Sequence, residues 1–250
     1  MGQEIKVDNT TTETVNSEAS AETAPLKGLV GTKIGMTRIY INDSQMVPVT
    51  VISTIGNVIT QIKTKAHDGY DAVQVGYGDV AEKKISQPEA KHLSKKGLAL
   101  KRWLREFRVK DSSVFKVGQS VPVSVFAKGE LLQVSGITRG KGYAGVVKRH
   151  GFAGLPHSHG NGEYRRHPGS SGAQGPQHVL PGTRKPGRMG FVSSTIPKIE
   201  VVDIDVEKSL ILVRGSVPGP NGNFVVLKPT SRVVKASSQP KQQAKPKAKK

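Results

Sequence analysis

Histidines are the residues of this sequence whose type and spacing first suggest chemistry. Five of the chain's seven lie between Gly136 and Gly190, where His157 and His159 form an H-x-H pair with His150, Glu163 and His167 nearby. A metal site is one reading of that set. Against it stand nine Lys or Arg in the same stretch facing one acid, and no helix presents an H-E-x-x-H face. Ser158 and Ser170 lie near histidines, but the stretch holds no Asp and no G-x-S-x-G elbow, so a hydrolytic triad lacks its parts. Glu163 alone makes no acid–base pair. A phosphate-binding loop of the G-x-x-x-x-G-K-[ST] kind fails on spacing, because Gly136 to Gly140 is one residue short and Gly142 stands where the hydroxyl belongs. No catalytic residue, metal, cofactor or small-molecule substrate is therefore expected.

What these residues suit is contact with a polyanion. Arg139, Lys141, Lys148, Arg149, Arg165, Arg166, Arg184, Lys185 and Arg188 are scattered among fourteen glycines and five prolines, so cations recur along a backbone able to approach phosphates closely. His157, His159 and His167 add donors to phosphate or ribose. Tyr164, with Tyr143 and Phe152, adds rings for unpaired bases, although Phe152 could equally contact the rest of the protein. YAGVVKRHG has the makings of one or two helical turns that would put Lys148 and Arg149 near a helix C-terminus. Glycine loses the most freedom on ordering, so an anionic host is needed to hold such a stretch.

Whole-chain composition agrees. The 250 residues carry a formal charge of +19 and a pI near 10.1, the electrostatic footprint of a nucleic-acid partner. Cysteine is absent, which excludes disulfides and thiolate metal sites. Residues 1–24 are net −4 and rich in Thr, Ser, Ala and Glu, and read as a disordered acidic tail. They have no apolar h-region and no Arg-rich transit character, and no apolar run is long enough to span a membrane, so a cytoplasmic location is expected. Residues 231–250 hold six lysines after Val234 and no acid, a solvated basic arm.

The elements that must position the stretch are mainly β. Leu26 to Tyr40 reads as two short strands interrupted by Gly28, Gly31 and Gly35; Met46–Ser53, Asn57–Thr64 and Ala72–Gly78 follow, with a turn at Ile55-Gly56-Asn57. A small helical insertion is expected over about 82–100, with Ser86 capping and Pro88 in the first turn. RWLREFRV predicts a strand whose Trp103 packs in the core while Arg102, Arg105 and Arg108 meet phosphates. Further strands are expected at Ser120–Phe126, Glu130–Ile137, within Ile199–Gly215, and at Asn223–Pro229. Several short strands at this spacing suggest an all-β barrel or sandwich carrying a small helical insertion and a long, irregular Gly/Arg-rich extension. The divisions are residues 25–135 for the first part of the body, 136–190 for the extended loop, and 191–230 for the strands that complete it.

Several segments, taken in order, carry a resemblance: LKGLVGTKIGMTRIY, DGYDAVQVGYG, LREFRV, TRGKGYAGVVKRHGF, SHG, RRHPGSSG, PGRMG and LILVRGSVPGPNGNFVVLKP. From Leu26 to Pro229 the chain resembles the bacterial L3 family of large-subunit ribosomal proteins. The resemblance implies a mainly β fold, a closed β-barrel body on the subunit surface, and a loop reaching through large-subunit rRNA toward the peptidyl transferase centre. It also implies an early role in assembly, and ribosomal proteins L14 and L19 as neighbours.

Departures from the family pattern fall at informative places. Where family members read PGSIGQxxxPG, this chain has PGSSGAQGP, one residue shorter, so the tip is Ser170, Ser171, Gly172, Ala173, Gln174, Gly175 and Pro176. Gln174 is the best positional match to the glutamine that a methyltransferase modifies in the family. FVSSTIPKIEV, residues 191–201, replaces a more basic segment. The alternatives are an RNA-modifying enzyme and a nonspecific RNA chaperone using the same His/Gly-rich loop.

Overall fold

In the computed structural model, residues 26–42 and 45–230 are described; the acidic-tail and lysine-tail readings fall on residues outside them. In chain order the strands are β1 (Leu29–Asn42), β2 (Gln45–Ser53), β3 (Val58–Lys63), β4 (Ala72–Asp79), β5 (Lys101–Arg108), β6 (Leu131–Ile137), β7 (Tyr143–Ala144), β8 (Gly187–Arg188), β9 (Ser193–Asp205), β10 (Leu210–Arg214) and β11 (Phe224–Pro229). Among the described residues there are also three short α-helices: α1 (Lys65–Asp68), α2 (Gln87–Ser94) and α3 (Val146–His150). The protein is mainly β. None of these helices is long and apolar enough to cross a membrane.

Six strands close on themselves in the antiparallel order β1-β11-β6-β9-β10-β2, with β2 returning to β1. Closure leaves each strand with two hydrogen-bonded neighbours, and alternate residues fill the interior: Leu29, Ile52, Leu132, Val134, Ile211, Val213 and Leu227 are fully buried. The glycines of β1 do not break it. Gly31 lies inside one continuous strand because a Cβ there would come within 2.6 Å of the Ile52 side chain and 2.7 Å of the Ser53 carbonyl oxygen. The two short strands expected over Leu26–Tyr40 are therefore one, and the irregularity is a register shift between Lys33 and Gly35.

A second sheet, β3-β4-β5, was not anticipated. RWLREFRV does form a strand, but it pairs with β4 and not with the ring. Trp103 joins the two: it is partly buried against the core, stacked on Phe224 of β11 at 5.2 Å and on Tyr77 of β4 at 6.0 Å. Its expected packing role holds. Ser120–Phe126 is a correction. Only Ser120 bridges, to Val58, and Val123–Val125 is a 3-10 turn following Pro122, which has no N–H to give a ladder. Val121, Val123 and Phe126 are buried all the same, so apolar alternation there serves packing with no ladder beyond that one bridge.

The helical insertion appears as a 3-10 turn at Glu82–Lys84 and then α2, with Pro88 in the first turn. Ser86 precedes the helix, but its hydroxyl donates to the Glu89 carboxylate at 2.6 Å and makes no cap to the backbone.

The turn between β2 and β3 is held by one side chain. Asn57 is 2% exposed; its Oδ1 accepts from the Val30 N–H at 3.2 Å, and its Nδ2 donates to the carbonyls of Val30 and Thr54 at 2.8 and 2.7 Å. Asn57→Leu fits the space roughly but leaves these backbone groups without their partner, each costing on the order of 1 kcal/mol or more. A loss of about 3 kcal/mol is expected, read as a melting temperature lower by roughly 10 °C.

Candidate nucleic-acid interface

The excursion leaves the body by extending a strand pair. The last β6–β9 partners are Ile137 and Ser193, and the ladder runs on beyond them. Thr138 N–H donates to Val192 O at 2.9 Å, Phe191 N–H to Thr138 O at 3.1 Å, and Lys141 N–H to Met189 O and Met189 N–H to Gly142 O at 2.9 Å each. β7 and β8 then pair Tyr143 with Arg188 and Ala144 with Gly187. So the base of a stretch expected to be irregular is a two-stranded neck. Gly190 permits the close approach: its φ is +76°, and a Cβ would lie 2.1 Å from Arg139 O.

Beyond the neck, α3 forms where one or two helical turns were expected. Val146 is buried, Lys148, Arg149 and His150 occupy the last turn, and Gly151 closes the helix at φ +74° with its N–H on Val147 O. Arg149 Nη1 donates to Lys185 O at 2.7 Å, and the His150 ring lies 3.2 Å from the same oxygen. The outgoing and returning chains are thereby clamped a second time.

The distal part is held by a few local bonds. Leu155 N–H donates to Arg165 O at 3.0 Å, closing a small loop that contains His157, His159 and Tyr164. Arg165 Nη1 lies 3.4 Å from His157 Nδ1, and the Tyr164 and His167 rings meet edge-on at 5.2 Å. Phe152, Leu155, Tyr164, His167 and Pro168 line an open recess of about 510 Å³, a size and lining suited to a flat apolar ring such as an unpaired base. Phe152 sits in the loop, 6.1 Å from His150. At the tip, Lys185 Nζ donates to Ser171 Oγ, Gly172 N–H is 3.4 Å from Ser170 Oγ, and Gln177 N–H donates to Gln174 O at 3.2 Å. Ser170 through Pro176 are all exposed.

Charge distribution separates this stretch from the body. Arg139, Lys141, Lys148, Arg149, Arg165, Arg166, Arg184 and Arg188 are exposed and Lys185 is half-buried. Ion pairs among the described residues fall elsewhere: Lys27–Glu130, Lys63–Glu106, Lys101–Asp79, Lys128–Asp203 and Arg214–Glu200. The structure brings Arg149, His150 and Lys185 together at the neck, Arg165 with His157, and Tyr164 with His167. His159, at φ +62°, stands apart from those pairs. Among the described residues no three His, Asp or Glu gather as a metal site would require. Sequence reasoning missed Phe191, whose ring lies under the Arg188 guanidinium at 5.2 Å. An exposed Phe in a Gly-flanked turn was its only signal.

A family model described as ribosomal protein L3 matches residues 105–209, from β5 through the excursion to the turn after β9. Among curated relatives, the large ribosomal subunit protein uL3 of Carboxydothermus hydrogenoformans is 44% identical over 202 residues, 81% of this chain and 96% of its own length. That of Heliobacterium modesticaldum is 45% identical over the same shares, and that of Geobacillus kaustophilus 42% identical over 84% of this chain and 98% of the relative.

Proposed function

The chain belongs to the ribosomal protein L3 family, and from that premise we propose that it is a structural constituent of the large ribosomal subunit in the cytoplasm, binding large-subunit rRNA and nucleating early assembly. The closed ring of β1, β2, β6, β9, β10 and β11 is the barrel of its body, with β3, β4 and β5 packed as a second sheet, and residues 136–190 are the loop that enters the rRNA. The observation that carries this is the pairing of a hydrogen-bonded neck with a distal stretch of exposed cations that no acid among the described residues neutralises. Phosphates supply the missing anions, and arginine and lysine displace their counterions.

Within the loop each residue has a role. Arg139, Lys141 and Arg188 meet phosphates along the neck, and Lys148 does so from α3. Arg149 and Lys185 hold the two chains together while keeping donors free. His157, His159, Arg165, Arg166, His167 and Arg184 contact phosphate or ribose farther out, and Tyr164 stacks on an unpaired base. Ser170 to Pro176 form the tip toward the peptidyl transferase centre, with Gln174 as the candidate for glutamine methylation. Ribosomal proteins L14 and L19 are its neighbours. No step of catalysis is assigned to the histidines, since His157 faces Arg165 and not an acid.

Sucrose-gradient sedimentation tests this directly. The protein should travel with the large subunit and remain at one copy per particle after a moderate salt wash. Recovery in the free-protein fractions after that wash would contradict the structural role and favour a passing enzyme or a nonspecific chaperone.

A further inference from the structure

We infer that Asn161-Gly162 in the loop is a site of self-modification, at which chain left free of rRNA converts Asn161 to aspartate and isoaspartate through a succinimide. The site rests on local geometry, and its consequence for assembly rests on the ribosomal reading above.

Asparagine followed by glycine suits this reaction because no Cβ shields the following amide nitrogen as it approaches the side-chain carbonyl carbon. The Gly162 nitrogen gives up its proton and bonds to Asn161 Cγ. The Cγ–Nδ2 bond breaks, and Nδ2 leaves as ammonia with that proton. Water then opens either carbonyl of the ring, giving aspartate from one and isoaspartate, with the main chain rerouted through the side chain, from the other. The chain and water supply every atom.

Ring closure requires a glycine N–H that is not already committed, and this sorts the three Asn-Gly or Asp-Gly pairs among the described residues. Asp68-Gly69 ends α1, with Gly69 N–H donating to Lys65 O at 3.2 Å. Asn221-Gly222 lies in the turn before β11, and Gly222 N–H donates to Lys33 O at 2.7 Å. Gly162 N–H has no acceptor among the described residues. The Asn161 side chain makes one bond there, from Nδ2 to Ser158 O at 3.3 Å, long for its kind and made by the atom that departs. Exposure alone would favour Asn221, which is exposed while Asn161 is half-buried, so hydrogen bonding decides the order.

Location gives the change its consequence. Asn161 lies in the small loop closed by Leu155 N–H on Arg165 O, and Glu163 is the one acid of residues 136–190. Conversion adds a second negative charge to the loop that holds His157, His159 and Arg165, and that charge opposes phosphate. Free chain therefore loses affinity for rRNA as it ages. Chain held by rRNA keeps Asn161, because ring closure needs local freedom of the backbone.

Ageing of the full chain in mildly alkaline buffer, with and without protein-free large-subunit rRNA, tests this by peptide mass mapping and isoaspartyl methyltransferase labelling. Free chain should convert at Asn161 many-fold faster than at Asn221, with Asp68 unlabelled, and rRNA should slow Asn161 several-fold. Gly162→Ala should fold normally, since a Cβ there meets no atom within 4 Å and φ is not left-handed, yet should slow the conversion many-fold. Conversion at Asn221 as fast as at Asn161, or an unchanged rate in Gly162→Ala, overturns the site. Conversion of Asn161 at one rate with and without rRNA leaves the site standing and overturns the reading that this part of the loop is held by rRNA.

Discussion

Gly190→Val should leave the β body folded while opening the neck of the loop. At φ +76° a β-branched residue is strained by roughly 1–2 kcal/mol. The added Cβ would also lie 2.1 Å from Arg139 O and 3.0 Å from its carbonyl carbon, backbone atoms that cannot swing aside. Together these should cost the neck about 3 kcal/mol, so the amides of Lys141 and Met189, which bond Met189 O and Gly142 O, should exchange roughly 100-fold faster. Core amides such as Val134 and Val213 should keep their protection. Gly160→Ala is the control: φ there is +80° but no atom lies within 4 Å, so it carries the strain without the collision. Unchanged exchange at Lys141 and Met189 in Gly190→Val would mean the neck is not held by this approach.

Neutralising four exposed cations of the loop at once, Lys148, Arg165, Arg166 and Arg184 to Gln, should have the largest effect on rRNA affinity. Counterion release gives a slope of log K against log salt of about −0.7 to −0.9 per phosphate neutralised, so the slope should flatten by about 3. None of the four pairs with an acid among the described residues, so the melting temperature should hardly move. An unchanged slope, with weaker binding or without it, would show that these side chains do not meet phosphates.

Where apolar residues alternate, the strands were legible: Met46–Ser53 and Ala72–Gly78 correspond to β2 and β4 within a residue or two. Gly31 looked like a breaker because sequence does not show the neighbour, Ile52, that takes the space its side chain would fill. Val121 and Val123 looked like strand because burial produces alternation whether or not a ladder forms. The pairing of β5 with β4 instead of the ring is a non-local choice with no local signal.

In the loop, residue types told what the stretch would bind, and the turns of YAGVVKRHG told where a helix begins. The neck could not be read, because Thr138 meets Val192 across 54 residues of glycine-rich chain with no period of two to announce it. The Arg149–Lys185 clamp and the Lys228–Phe107 contact are likewise made between residues distant in sequence. Arg105 and Arg108 were marked as phosphate contacts from their strand alone. That Arg105 lies over Phe224 and Arg108 over Tyr70 came only with the fold.

Ultraviolet cross-linking of this chain to rRNA in intact large subunits, with the linked peptides identified by mass spectrometry, measures the loop's place most directly. Peptides from Gly136 to Gly190 should carry rRNA nucleotides, those around Ser170–Pro176 from the peptidyl transferase region. Linked peptides that all lie outside residues 136–190 would contradict the proposal that this loop enters the rRNA.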